Sequence, residues 1–291
     1  MYFFFLLLYF LAEEIWCDYR LNSEKNQSLK AYCGTKPSHQ GKFDRRPIAG
    51  GREISGKEAP WAVYIQYPSS WCSATMISPR HILSASHCLM KNSAEFSESL
   101  KRLRRECDGN DLILYPDNNE FSVKNSYGAL LSDRVFKIVF SNYCYPQATF
   151  RYDDMMIWEL KESIQLDDYA FPACISNNLE FQSLDTEVRV TAYGHNSWDF
   201  HNSDGKGTSL LRDGTFRIIG GFKEGRFIAI SGDKWADQIR PGDSGGSVIH
   251  YVNGQYYTIG SISTASQTDF YSEATSVYAH YSQICHHTGI C

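Results

Sequence analysis

The chain has 291 residues, 43% of them hydrophobic and 21% charged, with a formal net charge of −5. That mixture excludes a disordered chain and is long enough to bury a sizeable core. No basic stripe runs through it, so nucleic acid is not expected as a partner.

The first twelve residues, Met1 to Ala12, are almost wholly apolar. The run is too short to cross a bilayer and fits the core of a secretory leader, although it lacks the usual preceding positive charge. Residues 1–17 are read as a signal peptide, and the mature protein is expected to be exported and free of the membrane. The nine cysteines, Cys17, Cys33, Cys72, Cys88, Cys107, Cys144, Cys174, Cys285 and Cys291, are scattered rather than set in CxxC pairs, so no zinc site is expected from them. Removing Cys17 with the leader leaves an even number, suited to an oxidising compartment, whereas a cut after Ala12 would leave Cys17 in the mature chain.

Residues 18–47 are polar and read as a pro-segment, with a glycosylation triplet at Asn26-Gln-Ser28. Beyond residue 60 short apolar stretches rich in β-branched and aromatic residues recur, among them Trp61–Tyr67, Arg134–Phe140, Met155–Leu160, Glu187–Tyr193, Thr215–Ile219, Arg226–Ile230 and Gln255–Ile262. Bounded by Gly, Asn, Asp, Ser and Pro, they predict an all-β domain of many short strands. Asn253-Gly254 predicts a tight hairpin turn. Lys91–Asp111 is charged and reads as an insertion with room for a short helix. His195–Gly214 reads as an exposed loop, and His280–His287 as a short terminal helix.

Three motifs carry chemistry. Gly242-Asp243-Ser244-Gly245-Gly246 sets a serine among glycines, which let the backbone turn tightly and aim N–H donors at a developing oxyanion. Ser84-Ala85-Ser86-His87-Cys88 ends a strand-like run. A Cys72–Cys88 bridge would pin the segment that presents His87. Asp153-Asp154 opens an apolar strand, where an acid is costly to bury unless a partner such as a histidine meets it. Gly242-x-Ser244-x-Gly246 also fits the nucleophile elbow of α/β-hydrolases. That fold orders its triad serine, acid, histidine, and only residues 245–291 remain after Ser244.

In order along the chain, these blocks resemble the chymotrypsin–trypsin family of serine proteases over residues 48–281, in a divergent form similar to nematode-type paralogues. Ile48-Ala49-Gly50-Gly51 resembles the mature N-terminus, with Pro60-Trp61 beyond it, and Ser276-Val277-Tyr278 resembles the strand near the C-terminus. The resemblance implies two antiparallel six-stranded β-barrels followed by a short C-terminal helix. Barrel one would span about 48–180, barrel two about 181–281, and a tail 282–291. It implies His87, Asp154 and Ser244 as catalytic triad, with Gly242 and Ser244 as oxyanion donors. It implies an activation pair of Ile48 and Asp243, a Cys33–Cys174 tether, and no metal or organic cofactor. Of the three pairings open to the other four cysteines, Cys107–Cys144 and Cys285–Cys291 are adopted. The implied protein is a secreted monomeric serine endopeptidase acting on proteins or peptides and open to protease inhibitors. The alternative is a non-catalytic or zymogen-locked homologue that acts by binding.

Two features depart from the family. Arg45-Arg46-Pro47-Ile48 puts a proline, with no primary amine, just before the expected new terminus. The substrate pocket would be made by Gln238, Ser263, Thr264, Ala265 and Ser276. Gln238 stands where trypsins carry an acid, Arg240 where the family has a cysteine, and Ser276 where a glycine is usual. No strong preference for Lys or Arg at the cleavage site is expected.

Overall fold

The structure, a computed structural model, describes residues 19–37, 52–68, 70–91, 95–96, 98–116, 120–144, 153–194, 210–222, 225–232, 239–265 and 271–291. The expected leader, the junction at Ile48 and the pocket residue Gln238 lie outside the described residues.

Helix α1, Ser23–Tyr32, opens the described chain, with the Asn22 side chain accepting from Lys25 N as its N-cap. Strand β1 is Arg52–Glu53 and is followed by β2 (Ala62–Tyr67), β3 (Ser70–Ser78) and β4 (His81–Ser84). A short segment then holds β5 (Met90–Lys91), β6 (Glu95–Phe96) and helix α2 (Glu98–Lys101). Next come β7 (Arg104–Asp108), β8 (Asp111–Tyr115), β9 (Ser122–Lys124), β10 (Leu130–Ser132), β11 (Val135–Phe140) and β12 (Met156–Leu160). The second half holds β13 (Glu187–Ala192), β14 (Arg212–Phe222), β15 (Phe227–Gly232), β16 (Ser247–Val252), β17 (Gln255–Ala265) and β18 (Ser272–Ser276). Helix α3, Tyr281–Thr288, lies near the C-terminus, one residue displaced from its expected span.

In the second half, β14-β13-β16-β17-β18-β15 is closed by pairing of β14 with β15, giving a six-stranded antiparallel barrel. Strand β1 adds to it as a seventh strand on β14. The first half departs from the expected six strands. Its described strands form a nine-stranded sheet, β10-β9-β2-β3-β4-β12-β11-β8-β7. The extra width comes from the charged stretch between His87 and Asp154, where the β7–β8 hairpin extends the sheet beyond β11. The same stretch holds α2, so the insertion contributes strands as well as a helix. Of the exposed loop expected over 195–214, residues 195–209 lie outside the described residues, and Arg212–Gly214 belong to strand β14. The β16–β17 turn is the Asn253-Gly254 hairpin, both residues at positive φ (52° and 85°), as a type I′ turn requires.

Each half has its own core. Val63, Ile65, Met76, Ile82, Ile138 and Trp158 pack inside the first, and Val190, Phe216, Ile218, Ile230, Val248 and Ile262 inside the second. Burying each large side chain stabilises the fold by about 1.5–3 kcal/mol. Trp61, Tyr193, Ile249 and Tyr256 form a further apolar cluster that draws on both halves. A fourth cluster joins Leu29 of α1 and Ile284 of α3 to Ile77, Leu83 and Ile157 of the first sheet.

The polar stretch before the domain is therefore docked. Gly34 exchanges backbone hydrogen bonds with Tyr256 and Pro172, and Leu21 N donates to Thr288 O. A Cys33–Cys174 disulfide closes a loop with a sequence separation of 141. Chain entropy alone makes such a closure worth about 5 kcal/mol. The Asn26 amide is engaged by Cys291 in both directions, donating to its carbonyl at 3.1 Å and accepting from its N–H at 3.3 Å. The other disulfides join Cys72–Cys88, Cys107–Cys144 and Cys285–Cys291. Among the described residues no helix is long and apolar enough to cross a membrane.

Candidate active site

His87 sits in a one-turn 3-10 segment, Ser86–Cys88, immediately after β4. The Cys72–Cys88 disulfide fastens that turn to β3. Asp154 lies at the entrance to β12, which pairs with β4 from Met156↔Ser84 onward, so strand register brings the acid beside the histidine turn. Asp154 is fully buried. Its Oδ1 accepts from His87 N at 2.9 Å, and its Oδ2 lies 2.7 Å from His87 Nδ1. The opposite ring nitrogen, Nε2, is 2.6 Å from Ser244 Oγ. Hydroxyl, imidazole and carboxylate thus form one continuous line.

The neighbouring Asp153 has a different task. Its Oδ1 accepts from Arg226 Nη1 at 2.6 Å and Asn142 Nδ2 at 2.8 Å, and lies 3.2 Å from His280 Nε2. Burial pushes this carboxyl up, but those donors outweigh it and hold it below the usual aspartate value.

Ser244 stands on a glycine turn that few other residues could make. Gly242 and Gly245 have φ of 93° and 80°. A Cβ on Gly245 would collide with Ser73 O and Ser84 Oγ. The Gly242 carbonyl accepts from Ser73 Oγ at 2.7 Å, and Tyr193 N donates to that same hydroxyl at 3.0 Å. Gly245 N donates to Ile262 O and Gly246 N to Asp243 O. The N–H groups of Gly242 and Ser244 have no acceptor among the described residues, which is the state an anion-binding pair needs.

The Asp243 carboxylate is buried beneath this turn, where Gly194 N donates to Oδ1 at 2.8 Å and Arg240 N to Oδ2 at 2.7 Å. Burial dominates, and despite those two donors its pKa is pushed up to about 7. Relative to the unfolded value of 3.8, the resulting penalty on the fold is absent below 3.8 and fully present above about 7.

Burial lowers the His87 pKa. The Asp154 charge and hydrogen bond act the other way and win, leaving the ring above the ordinary 6.5. A base must be neutral to accept the serine proton. Hydrolytic kcat/KM should therefore rise with pH through one ionisation centred above 6.5. A peptide-substrate profile flat between about pH 5 and 9 would contradict His87 as the base.

Four of the expected pocket residues lie on the paired strands β17 and β18. The Ser263 hydroxyl donates to Asp154 Oδ2 at 2.5 Å, making it a support of the carboxylate. Thr264 Oγ1 donates to Glu273 Oε2 at 3.2 Å, and Ala265 pairs with Ser272. Ser276 pairs with Gly260, and its hydroxyl donates to Gln182 Oε1 at 3.0 Å. The residue opposite Thr264 is Glu273, whose side chain is buried. Sequence reading missed Glu273 because counting from Val277-Tyr278 does not fix strand register. Only the β17–β18 ladder, with its irregularity between Ile262 and Thr264, does so.

The closed barrel beside a second large sheet, with the short C-terminal helix, is a chymotrypsin-like fold. The chain belongs to the nematode trypsin-6-like family, which it matches over residues 2–291. It is also similar to chymotrypsin-C of Bos taurus, 23% identical over 56% of this chain and 54% of that one. A venom serine protease of Polistes dominula is 25% identical over 59% and 56% of the two chains. Transmembrane protease serine 11C of Mus musculus is 25% identical over 66% and 38%. The chain thus spans roughly half or less of the length of each of these relatives.

Proposed function

We propose that the chain is a secreted serine endopeptidase that hydrolyses peptide bonds through an acyl-enzyme. The observation that carries this reading is the two-sided engagement of His87, at 2.7 Å to Asp154 Oδ2 and 2.6 Å to Ser244 Oγ. Ser244 Oγ attacks the scissile carbonyl carbon while His87 Nε2 takes its proton. The resulting oxyanion is received by the N–H groups of Gly242 and Ser244. As the tetrahedral species collapses, His87 returns the proton to the leaving amine. A water then attacks the acyl carbon while His87 takes its proton, and His87 returns that proton to Ser244 Oγ as the acyl–oxygen bond breaks and the acid product leaves. Four disulfides and the apolar leader support export to an oxidising compartment. A fluorophosphonate probe tests the reading. Labelling of the wild-type chain that disappears in Ser244→Ala supports it, and no labelling after any processing refutes it.

One observation favours a second reading, a zymogen-locked homologue that acts by binding. Pro47 precedes Ile48, and Asp243 is a buried carboxylate held by two backbone donors. In the enzyme reading, a free α-amino group at Ile48 reaches Asp243 and offsets the burial penalty. N-terminal sequencing of the exported protein decides between them. A terminus at Ile48 supports the enzyme, and an uncut chain that no probe labels supports the binding protein.

Glu273 bears on specificity. Its carboxylate, beside Thr264, brings negative charge to the strand expected to form the pocket wall, even though Gln238 supplies none. We expect Glu273→Gln to lower the ratio of Arg to Leu cleavage by about tenfold, near 1.4 kcal/mol of barrier. An unchanged ratio across a panel of peptide substrates would agree with the expectation of no strong preference for basic residues.

A further inference from the structure

Away from the serine site, the β7–β8 hairpin and the last turn of α3 bring together three side chains with no place in the proposed hydrolysis. Asp108, His286 and His287 each offer a ligand atom, and these atoms lie within 4.8 Å of one another. His286 Nε2 is 2.9 Å and His287 Nδ1 3.9 Å from Asp108 Oδ2. Adjacent ligands of a tetrahedral zinc ion, bound at about 2.0–2.2 Å, sit roughly 3.3 Å apart. The two separations from Asp108 Oδ2 straddle that value.

The far side of His287 is also built. Its Nε2 lies 2.8 Å from Asp111 Oδ2. The other Asp111 oxygen accepts from Asn142 N at 2.7 Å and Gln283 Nε2 at 3.1 Å. The opposite ring nitrogen, Nδ1, faces Asp108 Oδ2 across 3.9 Å, and the ring is only 2% exposed. A carboxylate behind a histidine is the usual support of a metal-ligating imidazole. Both backbones are anchored next to the ligands, by Cys107–Cys144 on the hairpin and Cys285–Cys291 on the helix. Asp108 and His286 are about half exposed, so an ion can enter from solvent.

We propose that Asp108, His286 and His287 form a binding site for a divalent transition cation of the zinc type, with Asp111 supporting His287 and water completing the shell. Two imidazoles and one carboxylate suit zinc, copper or nickel rather than calcium, which takes oxygen ligands. The ion would clamp the C-terminal helix to the inserted hairpin, and nothing in it feeds the proposed serine chemistry. Sequence reading expected no metal because it looked for paired cysteines, whereas this set is made by tertiary contact.

The test is calorimetric titration of the full-length, disulfide-intact protein with Zn2+, repeated with Ca2+, beside thermal unfolding. Saturable binding of one Zn2+ at this site is expected, with no response to Ca2+. At a hundredfold excess over Kd the unfolding midpoint should rise by about 5 °C. His286→Ala, a change at a half-exposed residue, should weaken Zn2+ binding at least about tenfold, and Asp111→Asn by about 10–100-fold. Should Asp111→Asn fail to fold, Asp108→Asn replaces it, with at least about a tenfold loss expected. No saturable Zn2+ binding, or equal binding by wild type and His286→Ala, would overturn the proposal.

Discussion

Ser244→Ala is expected to lower kcat/KM for a peptide substrate by at least about 10⁴-fold, while leaving the fold intact. The size follows from the geometry. Ser244 Oγ is the atom facing His87 Nε2 at 2.6 Å, and alanine removes the nucleophile outright. What survives is binding and the N–H pair of Gly242 and Ser244, which alanine keeps because those donors are main-chain. The fold should tolerate the change, since the turn is held by other bonds: Gly245 N to Ile262 O, Gly246 N to Asp243 O and Ser73 Oγ to Gly242 O. Steady-state kinetics and circular dichroism on the same preparation check both halves. A variant that keeps more than about a tenth of wild-type kcat/KM would show that hydrolysis, if present, does not run through this serine.

Asp154→Asn is the second large effect, a loss of about 10⁴-fold in kcat. Asp154 accepts from three donors, His87 N, His87 Nδ1 and Ser263 Oγ. An asparagine has one accepting oxygen and one donating nitrogen in place of two accepting oxygens. If the oxygen keeps the bond to His87 N, the amide nitrogen points at Nδ1. The imidazole proton then moves to Nε2, the atom that must take the serine proton, and the base is lost to the wrong tautomer. The ring also loses the charge that held its pKa above 6.5, so the pH profile of the residual activity should shift downward. A fall in kcat of less than about tenfold, with an unshifted profile, would mean that Asp154 does not orient the histidine. Ser263→Ala removes one donor from a carboxylate that keeps two others, so its effect should be the smaller.

Several parts of the molecule could be read from local pattern. The alternating β-branched and aromatic runs from Trp61 to Ile262 demand strands, because period two is visible within a few residues. The Asn253-Gly254 turn, the glycines around Ser244 and the Cys88 next to His87 are local statements too, each tied to backbone geometry at one position. Sheet width is not local. The charged residues 91–111 gave no sign of β7, which closes the nine-strand sheet, since an edge strand facing water lacks the apolar signal of a buried one.

The sequence by itself determined which residue types were available for chemistry: a serine among glycines, a histidine fixed beside a cysteine, an acid entering an apolar strand, and cysteines enough for four bridges. Tertiary structure alone assigned Asp153 its partners, Arg226 and His280. It alone set Glu273 across from Thr264, turned Ser263 onto Asp154, docked α1 against α3, and gathered Asp108, His286 and His287. The physical reason is the same in each case. A side chain's face within a strand follows from its neighbours in sequence, but its partner depends on register between strands, and a slip of one residue reverses every face.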